Sequence, residues 1–398
     1  MFKGETASVK KMMKQRYRFL TRAVLGVLAF VCSSSVSLAE SAETSGDFRT
    51  EALQAILYDL STDTVLFEKN PDQEMVPSSM TKTLLVYMMF EKLSQKAVKP
   101  DDLFVVSEKA WRMGGSRMFV QLGSSVSFSE LLQGVVVQSG NDACIVLAEG
   151  LAGSESQFTN LMNTKAKSLG AQNTHFLNCT GWPESGHVST ARDLLIFGIR
   201  TVRDFPELYA QYYPQKIFVH NGIEQRNRNP LLSSGQGDGL KTGHTKSGGF
   251  GFLGSGQRGD RRVIFVVNGL GSDTARKEAS LQMLKHGLDG FEVITLYDSN
   301  GAVGEIPLLQ GGSPKLFLKT LQPIRVTIRR GMKDQIKTKI TLAEGSLKLP
   351  IQKDQQMGTL TVQTTGLPDK TFPVFAAETV LESGLWARLV AWVKSLWV

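Results

Sequence analysis

Ser79-Met80-Thr81-Lys82 follows Pro77-Ser78 and opens an apolar run with helical spacing. A serine at a helix N-terminus presents its hydroxyl where backbone amides stabilise developing negative charge. Lys82 lies one turn on, so its amine reaches back to that serine, and a desolvated, neutral lysine there removes the hydroxyl proton as general base. Alone the pattern is weak: serine is a preferred helix cap, and a second Ser-x-x-Lys, Ser8 to Lys11, sits in the basic N-terminal segment. Two further motifs follow in order. Ser139-Gly140-Asn141 stands between two predicted helices, and Lys241-Thr242-Gly243 starts a β-prone stretch. A second hydroxyl to relay a proton to a leaving amine, an amide to hold an acyl chain and a cationic strand edge complete what acyl transfer at a serine requires.

The elements that must position these residues read as follows. Ala55 to Asp59 and Thr64 to Phe67 form a hairpin around a polar turn, and Leu84, Leu85, Met88 and Leu93 give Met80 to Leu93 a helical period. Further helices are predicted at 129–138, 141–151, 155–169 ended by Gly170, 191–203, and 274–288 ended near Gly287. Phe250 to Leu253 and Arg262 to Val267 form a second hairpin. Strands enclosing a run of helices give an α/β catalytic domain at 46–292. From 293 to 376 short β-prone runs alternate with turns rich in Gly, Pro and Asp, the texture of a small all-β sandwich.

At 398 residues and 41% apolar the chain can bury a sizeable core, which excludes a disordered or fibrous protein. Its net charge of +8 hints at nucleic acid, but residues 1–39 hold seven basic and one acidic residue, leaving 38 against 36, a charge of +2. With no basic stripe in the remainder, nucleic-acid binding is not expected. Residues 1–39 read as an export signal: a basic region from Lys10 to Arg22, an apolar region from Ala23 to Val31, and Ser37-Leu38-Ala39 before a cut at Glu40. Cys144 and Cys179 remain, and spacing leaves open whether they pair or stay as buried thiols. Residues 377–398 form a tail. Within it, 385–398 puts three tryptophans on one helical face, too short to span a bilayer at about 21 Å but suited to lie in a membrane surface. The alternative is a terminal helix docked on the protein's own core.

Taken together, the three motifs match the set shared by serine acyl transferases that react with β-lactams. The chain further resembles the D-alanyl-D-alanine carboxypeptidases among the low-molecular-mass penicillin-binding proteins. The similar stretches are Pro77 to Lys82, Gln138 to Cys144, Ser189 to Asp193, Asn227 to Asn229 and Asp238 to Thr245. The resemblance implies a β-lactamase/transpeptidase-like catalytic domain, then the β domain and an amphipathic helix. It implies that Ser79 is acylated by the D-Ala-D-Ala end of a peptidoglycan stem peptide, D-alanine leaves, and water hydrolyses the ester, without metal or cofactor. By the same resemblance Lys82 is the base, Ser139 the proton relay and Asn141 the contact to the substrate amide. Lys241 and Thr242 bind the terminal carboxylate, Gly243 on the same strand is substrate-binding with them, and the amides of Ser79 and His244 form the oxyanion hole. Arg228 and Arg276 resemble arginines near the carboxylate site, with a structural ion pair as the alternative for each. β-Lactams would inhibit the enzyme, in a periplasmic location or on the outer face of the cytoplasmic membrane. The sequence departs from the family pattern at Ser78, where alanine is usual, and in a shorter Leu231 to Gly237.

Rival readings are weaker. Gly254 to Gly259 fits Gly-x-Gly-x-x-Gly, but a strand rather than a helix follows, so these glycines belong to a hairpin. No two of the five histidines have helical zinc-ligand spacing. A class A β-lactamase would carry Glu-x-x-Leu-Asn, where this chain has Thr174 to Asn178, so slow rather than fast β-lactam hydrolysis is expected. A DD-endopeptidase cutting cross-links is the nearer alternative, and a non-catalytic envelope scaffold the more distant one.

Overall fold

The computed structural model describes residues 48–308 and 315–382. The predicted export signal and the amphipathic 385–398 lie outside the described residues.

The first hairpin is β1 (Gln54–Asp59) and β2 (Thr64–Lys69). A single turn of 3-10 helix, Ser78–Thr81, leads into α1 (Lys82–Ser94), so the Ser79 turn is tighter than the α-helical start expected. Then come β3 (Leu103–Val105), α2 (Glu108–Arg112), β4 (Ser125–Ser127) and α3 (Phe128–Gln133), which Ser127 and Glu130 cap reciprocally. The single helix expected at 129–138 is corrected here: from Gly134 to Gln138 the backbone widens to a π-turn that ends at Ser139. After it run α4 (Asn141–Ala152), α5 (Glu155–Leu169), α6 (Ala191–Asp204) and α7 (Pro206–Tyr212). A short hairpin, β5 (Ile217–His220) and β6 (Ile223–Arg226), precedes α8 (Pro230–Ser234), which takes up the first part of Leu231 to Gly237.

The main sheet closes with β7 (Gly239–Thr245), β8 (Gly249–Arg258) and β9 (Arg261–Leu270), in the antiparallel order β2-β1-β9-β8-β7. Alternate residues of β9 enter opposite cores. Ile264 and Val266 meet the helices α1, α4 and α6, while Val263, Phe265 and Val267 meet α9 (Asp273–Asp289). Burial on both faces explains why β9 reads as an unbroken apolar run. The glycines of the decoy fingerprint lie in β8 and the turn after it; a Cβ at Gly254 would lie 2.4 Å from the Phe265 ring, and one at Gly256 2.5 Å from Leu284. Gly287 does not end α9 as expected, for the helix continues to Asp289 and Gly287 lets it lie against Leu57 and Val263.

β10 (Phe291–Tyr297) pairs with β13 (Ile324–Arg329). Strands β11 (Ala302–Pro307), β12 (Lys315–Lys319), β14 (Lys337–Leu342), β15 (Gln356–Gln363) and β16 (Lys370–Ala376) form a second sheet in the order β11-β12-β16-β15-β14. Both sheets share a core that includes Leu316, Val326, Leu360 and Val374. The β region grips the first hairpin: fully buried Asp59 accepts from Arg261 Nε (2.7 Å) and Thr327 Oγ1 (3.0 Å). Cys144 and Cys179 are buried free thiols, and burial pushes the Cys144 thiol up to about 12.

Candidate active site

The 3-10 turn sets Ser79 at the mouth of α1 with Lys82, the first residue of the α-helix, beneath it. Lys82 Nζ lies 2.9 Å from Ser79 Oγ and donates to Asn141 Oδ1 (2.7 Å) and the Thr180 carbonyl (2.5 Å). Its side chain is wholly buried, and that burial lowers the pKa of the amine. A neutral amine has two N–H groups and one lone pair; two acceptor-only partners take the N–H groups, which leaves the lone pair for the Ser79 hydroxyl proton. Asn141 keeps its oxygen toward Lys82 because its Nδ2 donates to the Gly114 carbonyl (2.9 Å).

Ser139 closes the π-turn in the left-handed region, φ 65°, and its buried hydroxyl finds no hydrogen-bond partner among the described residues. A buried hydroxyl with unspent hydrogen-bonding capacity is free to exchange a proton with a substrate. The next residue but one beyond Asn141's neighbour Gly140, Asp142, is buried and collects the amides of Met118, Phe119, Val120 and Ala143, fixing the 114–120 segment beside the site.

On the β7 side, Lys241 and Thr242 are buried. Burial pushes the Lys241 ammonium well below its ordinary range, and Lys82, Arg228 and Arg276 push it the same way. Arg228 donates to Ser116 Oγ (2.7 Å). Arg276 meets both readings: it pairs with Asp273 and also donates to the Gly243 carbonyl (3.4 Å). Buried Lys241 and Arg276 with the exposed Arg228 form a basic cluster that attracts an anion. The exposed His244 ring stacks on Phe250, with centroids 3.9 Å apart.

Four contributors were not legible as site residues. Thr180 acts through its carbonyl, and Asn178 Oδ1 holds that loop by accepting from Thr180 N, Thr180 Oγ1, Gly181 N and Trp182 N at 2.9–3.2 Å. Gly181, at φ 78°, passes so near the nucleophile turn that a Cβ would lie 1.9 Å from the Ser78 carbonyl oxygen. Ser78, the departure from alanine, bonds through Oγ to Thr245 Oγ1 (2.9 Å) and so ties the turn to β7.

This fold, with a serine hydroxyl against a buried lysine amine, defines a serine-type peptidase. Residues 39–272 match the model of a family described as D-alanyl-D-alanine carboxypeptidase, and residues 291–382 match the C-terminal domain of penicillin-binding protein 5. The D-alanyl-D-alanine carboxypeptidase DacC of Escherichia coli (strain K12) is 35% identical over 94% of this chain and 95% of its own length. Penicillin-binding protein 5 from Haemophilus influenzae superposes with TM-score 0.74 at 31% identity, over 84% of this chain and 99% of that one. Penicillin-binding protein D2 from Listeria monocytogenes, in its ampicillin-bound form, gives TM-score 0.55 at 27% identity, over 61% of this chain and 98% of that one. The chain belongs to the D-alanyl-D-alanine carboxypeptidase family.

Proposed function

We propose that Ser79 attacks the carbonyl of the penultimate D-alanine of a peptidoglycan stem peptide. Lys82 takes the hydroxyl proton as the C–O bond forms. The amides of Ser79 and His244 hold the oxyanion, and as the C–N bond breaks Lys82 gives that proton to Ser139, whose own proton goes to the leaving nitrogen, so that Lys82 is neutral again. D-Alanine departs, and water, deprotonated by Lys82, cleaves the ester and restores the serine. Asn141 holds the substrate amide; Lys241, Thr242, Arg228 and Arg276 receive the terminal carboxylate. The observation that carries this reading is the buried Lys82 amine 2.9 Å from Ser79 Oγ.

A β-lactam would acylate the same serine, as the ampicillin complex of the Listeria relative suggests. Position 174 is a threonine, whose hydroxyl donates to Asp193 (2.8 Å), and has no carboxylate of its own to activate water against a β-lactam acyl-enzyme, so slow turnover is expected. Intact mass after brief exposure to penicillin tests the proposal: one adduct on Ser79, none in Ser79→Ala. No adduct on folded protein, or rapid nitrocefin turnover, refutes it. The working architecture is a catalytic domain at 46–292, a β domain at 293–376, export by residues 1–39, and anchoring to the outer face of the cytoplasmic membrane by 385–398. Deleting 385–398 should abolish membrane partitioning and leave activity; unfolding of the truncated protein would instead place that helix in the core.

A further inference from the structure

The Thr180 carbonyl takes one N–H of Lys82, so whatever holds that carbonyl also aims the base. Asn178 Oδ1 ties the loop to itself, accepting from residues 180–182. Glu155 accepts from Cys179 N at 3.3 Å, but it stands on α5, away from the helix that carries Lys82. His187 joins the loop to the nucleophile turn directly. It is 1% exposed, its Nδ1 accepts from Leu177 N (3.1 Å), and its Nε2 lies 2.9 Å from Thr81 Oγ1. A backbone N–H can only donate, so Nδ1 offers its lone pair, and the single proton of the neutral ring sits on Nε2 and is donated to Thr81. Phe176 stacks on the imidazole, with centroids 5.1 Å apart and planes at 27°, and keeps the ring in that plane.

Thr81 immediately precedes Lys82, and Leu177 immediately precedes Asn178. One imidazole therefore spans from the turn that carries nucleophile and base to the loop that carries the base's acceptor. The backbone bridges beside it stop short, joining Met75 to Ser189 and His175 to Val188, and beyond them the imidazole takes over. The tie bears on the chemistry because neutral Lys82 has two N–H groups and one lone pair. If the Thr180 carbonyl drifts, an N–H is released to turn toward Ser79 Oγ, and the lone pair that must take the hydroxyl proton turns away. The substrate contacts proposed for Asn141, Lys241, Thr242 and Arg228 come from α4, β7 and the segment after β6. Loss of the bridge should thus slow the reacting step without loosening binding.

We infer that His187 is a positioning residue for acylation: by bridging Thr81 and Leu177 it holds the Thr180 carbonyl on Lys82 and so aims the lone pair of the base at Ser79. This rests on the acyl-enzyme reading above. The test follows penicillin acylation by stopped flow, separating the limiting rate from the half-saturating concentration, on protein whose competent fraction is counted by its final adduct mass. His187→Asn keeps an acceptor for Leu177 N but is too short to reach Thr81, and Thr81→Val removes the hydroxyl at the other end. Each lowers the limiting rate about 10- to 100-fold and leaves the half-saturating concentration unchanged. Thr81→Ser, which keeps the hydroxyl, retains the parent rate. The double variant is no slower than the slower single one, because either change cuts the same bridge. In the parent protein, nitrogen-15 spectra of the imidazoles show His187 as the Nε2–H tautomer. A loss confined to melting temperature, rate losses that multiply in the double variant, a change in half-saturation alone, or an Nδ1–H tautomer overturns the inference. If His187→Asn does not fold, Thr81→Val, Thr81→Ser and the tautomer decide it. A folded parent protein that takes no penicillin adduct overturns the acyl-enzyme reading itself, and this one with it.

Discussion

Gly181→Ala is the sharpest probe of how the nucleophile is held. The new Cβ would lie 1.9 Å from Ser78 O, 2.4 Å from Ser78 C and 3.0 Å from Ser79 N. An ordinary C···O approach is about 3.3 Å, so the Ser78 carbonyl must retreat by about 1 Å or more and take Ser79 with it. Misplacing a reacting atom by about 1 Å costs about 100-fold in rate. The left-handed φ adds about 1 kcal/mol, and the displaced backbone brings the total destabilisation to about 2–4 kcal/mol. Gly170→Ala is the control: it caps α5 at φ 100° with nothing within 4 Å, so alanine there meets the φ penalty alone, about 1 kcal/mol. The assay pairs the second-order rate of penicillin acylation with urea unfolding. Gly181→Ala should lose both rate and stability, and Gly170→Ala stability only. A folded Gly181→Ala that acylates within threefold of the parent would refute the reasoning.

Ser139→Ala should reduce D-alanine release about 100-fold with no loss of melting temperature, because the hydroxyl has no partner to forfeit; a clear drop in stability would assign it a structural bond instead. The rate of acylation should rise with pH as Lys82 loses its proton. Arg228 lowers the pKa of that amine, so Arg228→Gln should move the rise to higher pH, and an unmoved or lowered profile counts against Lys82 as base. Burial pushes His187 from 6.5 down to about 4, while its Nδ1 accepts from Leu177 N and its Nε2 donates to Thr81 Oγ1. A depressed histidine pKa gives stability that is present above 6.5 and fades as pH falls toward 4. Between pH 7 and 4.5 the parent should lose about 2–3 kcal/mol more than His187→Gln, by urea unfolding at each pH. Asp59→Ala strands the buried Arg261 and should cost about 3–5 kcal/mol; a change below about 1 kcal/mol would mean the pair contributes nothing.

Much of the site was written in side chains and therefore legible. Ser79, Lys82, Ser139, Asn141 and Lys241 announce themselves by type, order and context, and the structure brings Lys82 within hydrogen-bond reach of Ser79 and Asn141. Thr180 is different, because it contributes a backbone carbonyl, which every residue has. Asn178 drew notice only as the end of a motif lacking its glutamate, while its role depends on a loop that curls around one oxygen. The π-turn was hidden because Gly134-Val135-Val136-Val137 carries the apolar pattern of an ordinary helix; widening the turn ends the segment at Ser139, and Gly140 N bonds back to Gly134 O at 2.9 Å. The pairs β3–β4 and β5–β6 escaped because strands of three or four residues show too few alternations to register. The long elements were clear in both type and place, since β9 is buried along nearly its whole length and α6 buries one face that recurs turn after turn.

The place of β1 in the main sheet constrains how the chain folds. It is flanked by β2, its neighbour in sequence, and by β9, where Ala55 pairs with Val267. The first strand to be made therefore waits for a partner synthesised some two hundred residues later. Until then the hairpin carries Ile56 and Leu57 uncovered and one row of backbone groups unpaired, an invitation to pair with another chain. Sheet closure of this kind is slow, because distant segments must meet before their contacts can stabilise anything. Folding of this enzyme should hence be governed by the arrival of β9, and substitutions in β9 should slow refolding more than equally destabilising ones in β2.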